Sequence, residues 1–446
     1  MVVNCKNSQV VTIKKVVNGG YGLAHLADGK NVLVQFSLPG ETVAIAIDRH
    51  QKHLDYARAT TIVTAHRGRI APPCPSYGAC GGCNLQHADY DTQCRLKRAI
   101  LVDLFARGQT PELRSQADFI APVIGATQPF GYRQRIRLQV DGQGRVGFYR
   151  FHSHQVIPTK RCLLAHQLIS DALARLSETK SFYRLADTSD SVEFLLDPQS
   201  VSLCLLFQLR RPPRPADRNA ARQLGEDADG RIRVLLTGRT FATEGPFTPD
   251  QSAANRLLSL ELPGTPPLQL AWEAGGFSQV NVDQNRVLVD VVMALATIDE
   301  PSRVLDLFCG MGNFSLPLAR RAGHVLGIES QGAAVRSARL NGARNNLGNL
   351  VFHQAAVADG CRHLIEDAQS FDLIVCDPPR QGIPGLAMLL GRLCTRRLIY
   401  VSCDPATLVR DCAELTTAGF RVVSVQPIDM FPQTHHIETV VLLEKN

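Results

Sequence analysis

Residues 303–316, RVLDLFCGMGNFSL, pass from an apolar run carrying Asp306, through a turn marked by Gly310 and Gly312, into a second apolar segment. Apolar residues bounded by glycines predict a buried strand, a tight turn and the start of a helix. Glycines at such a turn let a ligand approach the backbone closely. Working outward, the same alternation repeats from about Phe277 to the C-terminus. The strand-like runs are RVLDLFCG, HVLGIE, LVFHQAAV, FDLIVCDPP, RLIYVSC, RVVSVQPID and ETVVLLEK, with helical patterns between the earlier ones. This predicts an α/β fold, a mostly parallel sheet with helical crossovers in a domain spanning 276–446.

Glu329 closes the second of these strands, about twenty residues beyond the first, where an acid can hold both hydroxyls of a ribose. The turn lacks the third glycine of a dinucleotide fingerprint. A nucleoside without pyrophosphate, S-adenosylmethionine, therefore fits better than NAD.

The chain has 446 residues, 45% hydrophobic and 20% charged, which excludes wholesale disorder. No apolar run reaches the ~18 residues of a spanning helix. The N-terminus, MVVNCKNSQVVTIKK, lacks the basic-then-apolar order of a secretory signal. Both features predict a cytoplasmic protein with no membrane partner. Thirteen cysteines, an odd number, fit poorly with a disulfide framework in such a compartment.

The net charge of +7 is uneven: residues 1–70 hold nine basic against four acidic side chains. A second basic stretch runs from Tyr132 to Arg161, with Tyr149, Phe151 and His152 interleaved among its arginines. Cations release counterions from phosphate and aromatic faces stack on unpaired bases, so the mixture suits RNA rather than DNA. A solvated strand face is the competing reading.

Residues 1–68 read as short alternating strands with Gly/Pro punctuation, a small OB-like β-barrel. Residues 69–275 form a central α+β domain. It opens with the Pro/Gly loop APPCPSYGACGGC and a helix over about Asp91–Arg107, with Leu96, Ile100, Leu104 and Phe105 on its apolar face. RRPPRPADR and LPGTPP read as loops, the latter close to a domain boundary.

Three features near the C-terminal sheet edge carry chemistry. Asp377-Pro-Pro-Arg380 follows the strand FDLIVC, Cys403 ends the next, and Glu438 lies near the end of DMFPQTHHIE. Open α/β sheets bind ligands at that edge. Together, a thiol, a carboxylate and a nucleoside site suit methylation of uracil carbon 5. That carbon is a poor nucleophile until a thiolate adds to carbon 6, and a base must then remove its proton.

DLFCGMGNFSL, DPPR, YVSCDPATL and DMFPQTHHIE, in this order, resemble the signatures of the S-adenosylmethionine-dependent RNA uracil-5 methyltransferases. The resemblance covers essentially the whole chain. It implies Cys403 as nucleophile and Glu438 as base, with Gln279, Phe308, Asn313, Glu329 and Asp377 lining the cofactor and uracil site. Phe277 would touch the target base. Two positions depart from the family pattern: Asp404 stands where Asn usually follows the nucleophile, and Ala356 where a polar cofactor contact is common, with Asp359 nearby. A negative charge at 404 would raise the thiol's pKa unless it is hydrogen-bonded away.

Cys74-x5-Cys80-x2-Cys83 sits in the Pro/Gly loop, where thiolates can converge on a metal, and Cys162 is the best candidate for a fourth ligand. From spacing alone, zinc and an iron–sulfur cluster are both open. The segment CPSYGACGGCNLQH resembles the [4Fe-4S] loop of the ribosomal-RNA branch of the family, and the N-terminal barrel resembles a TRAM domain. Together these imply a monomeric enzyme with a [4Fe-4S] cluster and 23S ribosomal RNA as partner, uracil 1939 its target. Alternatives are another 23S site, transfer RNA, or a non-catalytic assembly factor, which Asp404 favours. A radical S-adenosylmethionine enzyme would need a Cys-x3-Cys-x2-Cys loop that this chain lacks.

Overall fold

A computed structural model describes residues 9–226, 232–247 and 256–446; Cys5 and Lys6 lie outside the described residues. The N-terminal sheet has six strands: β1 (Gln9–Thr12), β2 (Lys15–Val17), β3 (Tyr21–His25), β4 (Asn31–Gln35), β5 (Thr42–Arg49) and β6 (Leu54–Thr64). They pair in the order β1-β5-β6-β4-β3-β2. The alternation seen in the sequence places Ile13, Val32, Val34, Val43 and Ile45 together in one small core.

The central sheet has seven strands: β7 (Arg135–Val140), β8 (Val146–Tyr149), β9 (Val156–Pro158), β10 (Ser189–Asp197), β11 (Ser202–Leu209), β12 (Ile232–Gly238) and β13 (Phe241–Glu244). Their order is β13-β12-β11-β10-β7-β8-β9. A hairpin, β14 (Leu257–Leu262) and β15 (Leu268–Glu273), follows. LPGTPP forms its turn. The hairpin's inward leucines share a core with Leu288 and Val292 of the helix Val282–Ala296. Asn341 clasps its second strand, accepting from the Ala271 N–H at 2.8 Å and donating to the Ala271 carbonyl at 3.0 Å.

The C-terminal sheet comprises β16 (Arg303–Leu307), β17 (His324–Glu329), β18 (Leu350–Gln354), β19 (Phe371–Cys376), β20 (Cys394–Ser402), β21 (Phe420–Ile428) and β22 (Glu438–Lys445). Their order is β18-β17-β16-β19-β20-β22-β21. The first five run parallel, and β22 inserts antiparallel between β20 and β21. Helices cover both faces, which is why these strands read as nearly unbroken apolar runs. Successive residues divide between two cores: Ile374, Leu398 and Tyr400 face one, while Leu373, Val375, Ile399 and Val401 face the other.

The helix predicted over about 91–107 spans Tyr90–Ala106, its start capped by Asp89, which accepts from the Thr92 N–H. It buries Leu96, Ile100, Leu101 and Phe105 in the core that holds Leu408 and Leu415 of the helix Pro405–Thr417. Leu101, rather than the expected Leu104, is fully buried; Leu104 packs at the margin. The same helix carries a wholly buried cation. The Lys97 ammonium meets Asp429 Oδ1 at 2.6 Å and the Phe431 carbonyl at 3.1 Å, and both members of the ion pair are 0% exposed. Tyr90 donates to the other Asp429 oxygen at 2.9 Å. Among the described residues no helix is long and apolar enough to cross a membrane.

Candidate active site

The parallel register aligns four strand ends. Leu307 stands opposite Ile328 and Cys376, and Cys376 opposite Tyr400, so the segments carrying Phe308, Glu329, Asp377 and Cys403 emerge at one edge. The antiparallel β22 completes the set. Ser402 pairs with Thr439 as the last pair of the ladder, and the residues that follow, Cys403 and Glu438, are near enough for the Glu438 charge to act on the thiol. Two residues 35 positions apart in the chain thus share the same sheet edge.

At the first βα turn, Phe308 adopts φ 60°, a costly conformation for a non-glycine residue. It is held there by Cys309 N–H donating to the Ile328 carbonyl at 3.2 Å and Gly312 N–H to the Cys309 carbonyl at 2.9 Å. Gly310 has φ 55°, and a side chain there would project into open space. Glu329 receives the Gly310 N–H at 3.2 Å and the Gln331 N–H at 2.7 Å, which hold its carboxylate in front of the turn. Asn313 and Asn285 exchange reciprocal amide hydrogen bonds of 2.9 Å. Gln279 lies half-buried just before that helix, its amide without a hydrogen bond among the described residues, and the Phe277 ring is 69% exposed. Asp359 pairs with Arg362 on an exposed helix face, beside an exposed Ala356.

The segment leading to Glu438 is fastened by residues from the N-terminal half. Asn84 accepts from the His435 N–H at 2.9 Å, and the Asn84 and Leu85 N–H groups donate to the Gln433 carbonyl at 3.2 and 3.1 Å. Gln93 and Gln433 bond reciprocally, and Tyr132 donates to the Pro432 carbonyl at 3.0 Å. With Lys97 on Asp429, these contacts fix the direction in which β22 begins.

The edge concentrates negative charge with little to neutralise it. Glu438 is 3% exposed and its carboxylate makes no hydrogen bond among the described residues. Burial, then the Asp377 charge, holds its pKa well above the ordinary range. Burial pushes Asp377 up to about 7, and burial together with the Asp377 charge does the same to Asp306. Burial, then Glu438 and Asp377, push the Cys403 thiol up to about 11, and Arg380 opposes them. The Asp404 charge is the weakest of these influences. Its side chain caps the helix Pro405–Thr417, accepting from the Ala406 and Thr407 N–H groups at 3.0 and 2.9 Å. The carboxylate is thus engaged at the start of that helix, and its effect on the thiol is small. Arg380, the last residue of the Asp377-Pro-Pro-Arg380 turn, is the cation that favours the thiolate. Its guanidinium lies 3.4 Å from His436 Nε2.

Cys74, Cys80 and Cys83 of the loop and Cys162 beyond β9 are half-buried and influence one another electrostatically. Burial raises Cys80, with Cys162 and Cys74 adding to it, and burial with Cys162 pushes Cys83 up to about 12. The half-buried Arg133 offsets both. Among the described residues, no group of three or more His, Cys, Asp or Glu is placed to hold a metal ion.

The family profile described as tRNA (Uracil-5-)-methyltransferase matches residues 123–446. The chain belongs to this family. The enzyme is 34% identical over 443 residues to the 23S rRNA (uracil(1939)-C(5))-methyltransferase RlmD of Alkalilimnicola ehrlichii, covering 98% of this chain and 96% of the relative. It is 33% identical to the protein of the same name from Pseudomonas aeruginosa, covering 98% and 94%. The crystal structure of Pyrococcus abyssi tRNA (uracil-54, C5)-methyltransferase has the same fold, with a TM-score of 0.72 over 97% of this chain and 100% of that one at 23% identity.

The thiolate fraction of a group titrating near 11 climbs about tenfold per pH unit below that value. Alkylation of Cys403 by iodoacetamide, followed by peptide mass spectrometry, is expected to accelerate continuously between about pH 7 and pH 9. Arg380→Ala should move the curve to higher pH. A rate already level at neutral pH would contradict this electrostatic picture.

Proposed function

We propose that the enzyme transfers the methyl group of S-adenosylmethionine to carbon 5 of a uridine in 23S ribosomal RNA, uracil 1939. The observation that carries the reading is the buried, unpartnered Glu438 just beyond the Ser402–Thr439 pair, where its charge acts on the Cys403 thiol. A buried carboxylate without a hydrogen bond is costly to stability and is explained by a reaction that uses it. The choice of RNA and nucleotide is supported by the full-length likeness to proteins of that printed name.

In this reading S-adenosylmethionine, when bound, supplies an electrophilic methyl group. Glu329 would hold its ribose hydroxyls, and Phe308, Asn313, Gln279 and Asp377 would line the remaining site. Cys403 Sγ, deprotonated beside Arg380, adds to uracil carbon 6, and the electron pair of the 5,6 double bond becomes an enolate. The enolate's electron pair would form the new bond from carbon 5 to the methyl group, while the pair of the broken S–CH3 bond stays on the sulfonium sulfur, which leaves as a neutral thioether. Glu438 then removes the carbon-5 proton, the double bond re-forms, and the sulfur leaves as thiolate. The raised pKa of Glu438 makes its carboxylate a stronger base than an exposed glutamate. Phe277, largely exposed, is free to meet the target base.

The same reading assigns Cys74, Cys80, Cys83 and Cys162 to a [4Fe-4S] cluster. Four thiols that already feel one another, with the half-buried Arg133 to balance thiolate charge, suit such a group. Its role is structural. The loop that holds it continues directly into Asn84 and Leu85, which bond the segment before Glu438. The N-terminal sheet is read as a TRAM-type RNA-binding module.

With a 5-fluorouridine-substituted 23S fragment and S-adenosylmethionine, the wild type should form a denaturant-resistant covalent complex and Cys403→Ala none. On ordinary RNA, Glu438→Gln should accumulate the methylated adduct. Free turnover by Glu438→Gln, or an adduct on Cys403→Ala, would overturn the assignments. Protein purified without oxygen should carry about four irons per chain, falling sharply in Cys83→Ser. One stoichiometric zinc without iron would refute the cluster.

A further inference from the structure

Away from the catalytic edge, a cavity of about 530 Å3 opens between the cysteine loop and the turn that joins β8 to β9. That volume falls within the ~300–1,000 Å3 of small-ligand sites. Its walls include Gly81, Tyr149, Arg150, Phe151, His152 and His154, and no carboxylate lines it. None of the residues assigned to methyl transfer does so either.

The walls are fixed from three sides. Gly81 N–H donates to the Tyr149 carbonyl at 2.9 Å, and a Cβ at 81 would lie 3.0 Å from that oxygen and 3.2 Å from the Phe151 nitrogen, so a larger residue would push the two segments a few tenths of an ångström apart. Arg150 N–H donates to the Gln155 carbonyl at 2.8 Å, closing the turn. From the N-terminal sheet, the Tyr21 hydroxyl lies 2.8 Å from His152 Nε2, and the Tyr21 ring lies 6.3 Å from that of Phe151.

The aromatic rings within this frame are not stacked on one another. Tyr149 and His154 meet edge to face, with centroids 5.3 Å apart and planes at 86°; Phe151 and His152 do the same at 4.3 Å and 69°. An edge-to-face pair leaves a face of each ring open. Tyr149 is 39% exposed, and the Arg150 guanidinium forms no ion pair among the described residues. Open ring faces, an unpaired cation and the absence of acids are the elements that hold a base and its phosphate in single-stranded nucleic acid.

We propose that this cavity is a second nucleotide site, stacking an unpaired base of the substrate RNA outside the target uridine while Arg150 meets its phosphate. The proposal rests on the reading of the substrate as RNA. It gives the enzyme a grip on the strand at the junction of N-terminal sheet, cysteine loop and central sheet, through residues other than those assigned to the reacting base.

The test uses the full-length protein and a 23S ribosomal RNA fragment containing the target uridine. Tyr149→Ala and Arg150→Ala should each raise the Kd for the fragment about tenfold, the loss expected for one stacked base or one phosphate contact. The loss should appear in KM rather than kcat, as for binding shared by ground and transition states. Tyr149→Phe, which keeps the ring, should restore affinity. Arg150→Ala alone should flatten the salt dependence of binding. Unchanged Kd in both alanine variants, or no rescue by Tyr149→Phe, would overturn the site. A wild type that methylates normally alongside insensitive variants refutes only this site. A wild type that binds the fragment with these dependences yet never methylates it refutes the proposed reaction instead.

Discussion

The arrangement at the sheet edge that carries Cys403 and Glu438 depends on the buried ion pair between Lys97 and Asp429, both 0% exposed. Charges removed from water are tolerated only when each is paired and its remaining hydrogen-bonding capacity is met. Here Tyr90 and the Phe431 carbonyl complete the set. Lys97 sits on a helix near the start of the chain, and Asp429 opens the segment that ends at Glu438. Taking away either partner would strand the other charge, at a cost of about 3–5 kcal/mol. Glu438 can face Cys403 because the N-terminal half holds the approach to β22 in place.

The second constraint is electrostatic. Asp306, Asp377, Glu438 and the Cys403 thiol crowd one sheet edge, and burial raises all four. Each group therefore resists losing its proton while the others are charged. A site of this kind is poised to take up cationic or electron-poor ligands and to pass a proton between its members. Arg380 is the nearby counterweight for Cys403, and His435 and His436 are kept neutral by burial, pushed down to about 4 and about 3.

What the sequence made legible was local. The strand–turn–helix of residues 303–316, the acid at the end of β17, and Cys403 at a strand terminus follow from periodicity and punctuation. They emerge where expected. The partners of that chemistry come from register and distant packing. Nothing in DMFPQTHHIE announces that Ser402 pairs with Thr439, or that Asn84, Gln93 and Lys97, more than three hundred residues away, hold the segment. The weight of Asp404 was likewise undecidable from composition, because its capping hydrogen bonds depend on how the next helix starts. LPGTPP, read as a loop, is the turn of a hairpin, but its prolines report local bending and not what the flanking strands pack against.

The most direct measurement is a map of 5-methyluridine in ribosomal and transfer RNA from cells with and without this gene. The account predicts loss of the modification at uracil 1939 of 23S ribosomal RNA alone, restored by the wild-type gene and not by Cys403→Ala. A 23S modification that persists without the gene, or one that returns with Cys403→Ala, would contradict it.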